Sequence, residues 1–483
     1  MNYDKIKRSG ILFLLGIGAI TSLSCNDNDN GGYPERVPTR LSVMPLPERV
    51  DYKESVVTLP QNVTVSQNIP ASTSQLLKST LEEKLSLSAS DASNDHAFIR
   101  VQQESDLAKE AYRLTVTKEG ACIYYSTETG LLWGIQTLRQ ALEQANFFTS
   151  GNSKYLPMVD IKDAPKYDWR GFHIDVVRHM FTVDYLKKVI DCLSFYKINK
   201  LHLHLTDDQG WRLEIKSLPK LTEVGAWRAP RVGQWWQRER QQPGEETTYG
   251  GFYTQEDVKE VLAYAAKRYV RVIPEIDVPG HSVAALVAYP ELACMKAPDA
   301  VNVGNKFYGE DENTLCIGKD YTFEFMDKVL TEVAALFPDE YVHIGGDECF
   351  KGFWHKCPRC QVRMKAENLK NEEELQSYFI HRMGDLLKSK GKKLVGWDEI
   401  LEGGLAPDAN VMSWRGMEGG IKAAKAGHHV IMTPTEHCYL DLWQGEPSVE
   451  PDTYSMCRLK DSYSFNPVSY THLRAHETDS YLV

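Results

Sequence analysis

No apolar run in this 483-residue chain reaches the ~20 residues that a membrane-spanning helix needs. Positive charge is also scarce. Lys and Arg number 55 against 66 Asp and Glu, a net charge of −11. That balance argues against nucleic acid as a partner, because phosphate binding needs basic surface. Metal-ligand spacings are thin as well. Cys357 and Cys360 form the one Cys-x-x-Cys, so a zinc ribbon lacks its second half. The one His-x-x-x-His pair, His472 and His476, lies near the end of the chain. Cys349, Cys357, Cys360 and His355 cluster in sequence, and they read as a structural loop rather than a metal centre. No metal or other cofactor is expected. There is no internal repeat and no low-complexity core.

What is present is an ordinary globular composition, 42% hydrophobic and 25% charged, long enough for two or three domains with a large core. Lys5, Lys7 and Arg8 precede a short apolar run, residues 11–20, as in an export signal. Leu23-Ser24-Cys25 then resembles a lipoprotein cleavage site with Cys25 lipidated, followed by a polar tether over residues 26–39. The expected location is therefore outside the inner membrane, periplasmic or on the cell surface, anchored by lipid. Nine cysteines remain after Cys25, and Cys294 paired with Cys316 would close one long loop.

Residues 40–165 read as a small α+β domain. Segments 112–116 and 121–126 form a strand pair around a glycine turn, and Leu131, Ile135, Leu138 and Leu142 share one helix face. From residue 169 short apolar strands alternate with amphipathic helices, the pattern of parallel β/α units. Strands are predicted at 171–175, 201–205, 270–276, 341–344, 393–397, 411–414 and 429–433. One intervening helix starts at Thr254 with Asp257 placed for a capping box. The fold class is α/β, a (β/α)8 TIM-type barrel over 166–467 whose eighth strand is not found. Residues 468–483 stand apart, and Ser469 to Thr478 resembles a translated sequencing adapter. An unclosed barrel would leave edge groups unpaired, so low solubility or low activity is expected of residues 1–483.

The chemistry concentrates in Tyr341-Val-His-Ile-Gly-Gly-Asp-Glu348. Two glycines and then two carboxylates, Asp347 and Glu348, follow an apolar strand, at the end where barrels place their chemistry. Crowded carboxylates cannot both keep an ordinary pKa, so one can hold a proton near neutrality. A solvated acidic turn is the alternative for such a pair alone. Further motifs stand around it in order: Gly171-Phe-His-Ile-Asp-Val-Val-Arg-His179, His202-Leu-His-Leu-Thr-Asp-Asp-Gln-Gly-Trp-Arg212, Pro274-Glu-Ile-Asp-Val-Pro-Gly-His-Ser282, Gly396-Trp-Asp-Glu399, Ser413-Trp-Arg415 and Tyr439-Leu-Asp441.

Together these motifs closely resemble glycoside hydrolase family 20, the β-N-acetylhexosaminidases. The resemblance implies a retaining exo-enzyme that removes terminal β-linked GlcNAc or GalNAc, with the substrate's own 2-acetamido oxygen as nucleophile. It implies Glu348 as general acid and base, and Asp347 as the group that holds the acetamido N–H. Arg178 would bind sugar hydroxyls, and Asp277 with His281 would orient Glu348, supported by Asp207. Trp397 and Trp414 would wall the acetamido pocket, Tyr439 would donate to its carbonyl, and Asp441 would bind a ring hydroxyl. The partner is then a glycan ending in N-acetylhexosamine. The rival readings are a non-catalytic carbohydrate-binding protein on the same barrel, and a metal-dependent glycan hydrolase.

Overall fold

A computed structural model describes residues 40–233, 238–304 and 312–468; the signal segment with Cys25, the tether and residues 469–483 lie outside the described residues. No helix among the described residues is long and apolar enough to cross a membrane.

The N-terminal domain is an eight-stranded mixed sheet with helices packed on it. Its spatial order is Arg49–Thr58, Ser153–Asp163, Tyr112–Thr117, Gly120–Tyr125, Ile99–Gln103, Asn62–Ser66 and Ser88–Ala92, with Thr149–Ser150 folded back on Ser153–Asp163. Tyr112–Thr117 and Gly120–Tyr125 pair antiparallel, as their alternating apolar residues predict. The helix Glu128–Gln144 begins at Thr127, whose hydroxyl accepts from the Gly130 N–H. It buries Leu131, Ile135, Leu138 and Leu142 against Leu114 and Ile123. Each such side chain contributes ~1.5–3 kcal/mol by leaving water.

The second domain is a curled parallel sheet of barrel type. All seven predicted strands are present: β1 (Gly171–Asp175), β2 (Lys200–His204), β3 (Arg271–Glu275), β4 (Tyr341–His343), β5 (Lys393–Trp397), β6 (Asn410–Ser413) and β7 (Val430–Met432). Spatial order follows chain order from β1 to β7, every pairing is parallel, and β1 and β7 are the edges among the described residues. Amphipathic helices cover the outside. Val183–Phe195 turns Leu186, Ile190 and Leu193 inward. Gln255–Ala266 starts with the full Thr254/Asp257 capping box and buries Val258, Val261 and Ala265. Asp320–Leu336 and Glu372–Ser389 complete the wall before and after β4.

The two domains meet through buried polar pairs. The Lys197 ammonium donates to Asp163 and to the Tyr112 hydroxyl, both at 2.8 Å, and Arg170 donates to Glu110 at 2.7 Å. Gln136 donates to the Ser194 hydroxyl at 3.0 Å.

Candidate active site

Side chains alternate along a strand, so every second residue of β1 to β5 points into the barrel. Here many of those residues are polar, with Ile273 and Val395 among the apolar exceptions. Glu275, fully buried at the end of β3, lies 2.9 Å from His202 Nε2, 2.9 Å from His204 Nδ1 and 3.3 Å from His343 Nδ1. Neither ring nitrogen of His202 finds an aligned hydrogen-bond partner despite its closeness to Glu275. Trp397 Nε1 donates to Glu275 at 2.8 Å, and the Trp397 ring packs edge-on against His343 at 4.7 Å. Burial pushes His202 down to about 3, which leaves it neutral. Burial also opposes charge on His204, yet Glu275 and Asp207 hold it well above its usual value. Glu275 sits well below its own, because His204, His343 and His202 outweigh its burial.

Above this floor β4 ends and the chain turns sharply. Gly345 has φ +67°, and a Cβ there would lie 1.7 Å from Asp277 Oδ1, so only glycine fits. Two of the non-glycine residues in the left-handed backbone region belong to this site, Glu348 at φ +42° and His281 at φ +45°. Such strain is costly and persists where surroundings over-determine it. It aims the two side chains at each other. His281 Nε2 lies 3.3 Å from Glu348 and 3.5 Å from Asp347. His281 Nδ1 lies 3.0 Å from Asp207, whose other oxygen meets Arg178 Nη2 at 2.6 Å. Arg178 also donates to Asp175 and to Gln209. The result is a continuous line from Glu348 through His281 and Asp207 to Arg178.

One sequence expectation is corrected here. Spacing suggested Asp277 as the partner of His281, four residues on. The hydrogen-bond partner is Asp207 instead, because the tight turn at Pro279-Gly280 swings the imidazole toward β2. Asp277 sits under Gly345, with both carboxyl oxygens buried and lacking a hydrogen-bond partner. Burial and then Asp347 push its carboxyl well up. Asp347 is raised too, by burial, with His281 opposing and Glu275 and Glu348 adding. His281 is held well above its usual value because Asp207 and Asp277 outweigh burial.

One side of the carboxylate pair is aromatic. Trp414 stacks on Tyr439 at 6.2 Å and 24°, and its Nε1 donates to Glu399 at 2.9 Å. Burial lifts the Tyr439 phenol far up, and the charge of Asp347 adds to this. Burial pushes Glu399 up to about 8, with Asp347 adding and Arg415 opposing. Trp397 lies deeper, in the floor. Asp441 is exposed at the rim, near enough for its charge to raise Tyr439 and Tyr454.

Several residues here carried no role in the sequence reading, Glu275, Glu399 and Tyr454 among them. Glu275 was readable in principle, since His202-Leu203-His204 alternates polar and apolar where a barrel strand should be apolar throughout. Glu399 stood beside Trp397 in its motif. Tyr454 follows the barrel strands on an irregular segment, and spacing offered no signal for it. His204, Asp207 and Asp277 also come within metal-ligand reach. Asp207 is already paired with Arg178 and His281, so that group fits an ion-pair network better than a cation.

The cysteine grouping is corrected as well. Cys357 and Cys360 gather with Cys294 and Cys316, not with Cys349 and His355. His355 is exposed and contacts Glu372 at 3.0 Å, while Cys349 is buried behind Glu348. Cys294 and Cys316 are free thiols rather than a disulfide.

Comparison with known proteins gives consistent neighbours. Residues 167–482 match "Glycosyl hydrolase family 20, catalytic domain" and residues 40–164 match its "domain 2". The first match continues across most of the segment 468–483 set apart above. A beta-hexosaminidase of Porphyromonas gingivalis is 46% identical over 384 residues, covering 78% of this chain and 47% of that protein. One from Akkermansia muciniphila is 37% identical, covering 76% of this chain and 71% of its own length. The chain thus spans about half the length of the first of these relatives. Among solved structures, a Vibrio harveyi exo beta-N-acetylglucosaminidase in complex with N-acetylglucosamine superposes with TM-score 0.79 at 32% identity, covering 92% of this chain and 69% of that one. A Bacteroides fragilis beta-N-acetylhexosaminidase superposes at 0.71 and 33% identity, covering 88% and 81%.

Proposed function

We infer the activity from one premise: the chain belongs to glycosyl hydrolase family 20. On that premise it hydrolyses terminal β-linked N-acetylhexosamine, GlcNAc or GalNAc, from glycans, with retention at C1. The observation that carries the reading is the pairing of Asp347 and Glu348 at the end of β4 with one buried imidazole reaching both, at 3.5 and 3.3 Å.

Ordinary glycosidases set two carboxylates on opposite faces of the scissile bond, several ångströms apart. Adjacent residues on one turn do not suit that arrangement. They suit a reaction in which the substrate supplies its own nucleophile. The 2-acetamido oxygen attacks C1 while Glu348 donates its proton to the departing glycosidic oxygen, leaving a cyclic oxazolinium ion. Glu348, now a carboxylate, takes a proton from the water that attacks C1 and reopens the ring. Two inversions give net retention. Tethering the nucleophile within the substrate is equivalent to an effective molarity on the order of 10⁵ M or more. Asp347 accepts from the acetamido N–H, and the positive charge growing there favours its ionised form against its burial. His281 carries its proton between Asp207 and Glu348, so it orients the acid and supports its carboxylate stage. Trp414 and Tyr439 offer an aromatic face and a hydroxyl to the acetamido group.

The binding-protein alternative predicts sugar affinity without turnover. The test compares chromogenic β-GlcNAc and β-glucoside substrates on the wild type, and an unactivated disaccharide on Glu348→Gln. The expected outcome is cleavage that requires the acetamido group, and a rate lowered roughly 10²-fold or more in the variant. Equal rates on both glycosides would overturn the mechanism, as would an undiminished variant rate. The anchor is proposed on the signal residues alone: mass spectrometry of the mature protein should find diacylglycerol on Cys25.

A further inference from the structure

We propose that Cys294, Cys316, Cys357 and Cys360 form a structural tetrathiolate site for a divalent zinc-type cation, outside the catalytic centre. The four sulfurs lie within 4.8 Å of one another. Cys294 and Cys360, Cys316 and Cys357, and Cys316 and Cys360 are each 3.7 Å apart. A tetrahedron's edge is about 1.63 times its centre-to-vertex length, so Zn–S bonds of about 2.3 Å put sulfurs about 3.8 Å apart. A disulfide brings its two sulfurs to about 2.05 Å and leaves no reason for a third and fourth thiol to converge. Cys316, Cys357 and Cys360 are fully buried and Cys294 partly so, which favours a closed structural site over a reactive one.

The surrounding backbone is shaped for such a cluster. A Cβ on Gly318 would sit 2.3 Å from the Arg359 carbonyl carbon and 2.4 Å from the Cys360 nitrogen. Only glycine lets the Cys-x-Gly turn at 316–318 pack against the Cys-x-x-Cys turn at 357–360. Pro358 opens the short helix Pro358–Ala366 between the last two ligands.

The site joins three stretches of chain that support the catalytic loops. Leu315, next to Cys316, donates its N–H to the Pro279 carbonyl and accepts from Trp354 Nε1, both at 2.9 Å. Asn313 accepts from the Ser282 N–H at 2.9 Å. Pro279 and Ser282 flank His281. A cation at the four sulfurs would thus fix the loop that carries the imidazole to the segment that follows Glu348. The role is structural, and the hydrolytic step itself needs no metal.

The test is metal analysis of the full chain, purified without metal-affinity resin, by inductively coupled plasma mass spectrometry. The expected result is roughly one zinc per chain, released into solution as a mercurial thiol reagent caps the four thiolates. Removal should lower the thermal midpoint, and cobalt(II) exchange should give thiolate-to-metal charge-transfer absorption. Cys360→Ser should lose the metal, whereas Cys192→Ser, an exposed thiol elsewhere, should retain it. Metal-free protein with four free thiols would overturn the proposal. So would intact-mass evidence of disulfides among these four residues. Both readings come from the wild type and do not depend on the serine variants folding, nor on any glycan being cleaved.

Discussion

Glu399 is the residue with the most informative titration. Burial, with Asp347 adding, raises its carboxyl from 4.5 to about 8. A raised folded-state pKa means the native protein binds more protons than the unfolded chain between those values, so stability falls as pH rises from about 4.5 to 8. The slope is at most about 1.4 kcal/mol per pH unit from this one group. Glu399→Gln keeps an acceptor for Trp414 Nε1 and removes the titration. Thermal midpoints measured across pH 4.5–8 should therefore fall less steeply in the variant than in the wild type; parallel curves would show that Glu399 titrates normally. Asp347 and Glu348 could be placed from sequence because they directly follow β4, and Arg178 because it lies just past β1, whereas Tyr439 stands beyond a short helix after β7 and only its motif singled it out. Asp277 was half legible: its place near the site was readable, but its partner depends on which way His281 turns.

At the scale of elements, the turn after β4 is the part most exposed to substitution. Gly345→Ala would drive a methyl into Asp277 Oδ1, in a backbone region where alanine is already strained. The expected cost is about 4 kcal/mol or more, the range of the most damaging single changes. Urea unfolding checks it, and a loss under 1 kcal/mol would mean the turn can relax. The helices were legible because burial on one face writes a 3.6-residue period, and the strands because short segments with apolar residues at least at every second position recur between them. The four-cysteine cluster was not. Its members are separated by 22 and 41 positions before the Cys-x-x-Cys pair, and only the folded loops bring Cys294 and Cys316 to it. Sequence proximity instead suggested Cys349 and His355.

For the molecule as a whole, the interdomain seam couples the two units. Lys197 is buried with Asp163 and the Tyr112 hydroxyl as its partners, and burial lowers its pKa against the pull of Asp163. Asp163→Asn would leave an ammonium in that seam without its counter-charge. The expected loss is about 3–5 kcal/mol, the usual cost of breaking a buried pair. Denaturant unfolding followed by separate probes in each domain should show the variant less stable and its transitions less coincident. A variant as stable as the wild type would mean that water reaches Lys197.

The polar floor of the barrel has a consequence for how this sequence can drift. Aliphatic barrel layers tolerate exchange of one apolar residue for another, since only volume must be kept. Glu275, His202, His204, His343 and Trp397 answer to one another by charge and proton count. Replacing Glu275 alone by leucine would leave Asp207 as the sole carboxylate partner of His204 and leave an indole N–H unpaired. Replacing it together with the histidines and Trp397 would restore a uniform apolar packing. These five positions should therefore change as a group between lineages, with intermediates rare, and their pairwise covariation should exceed that of any aliphatic positions on the same strands.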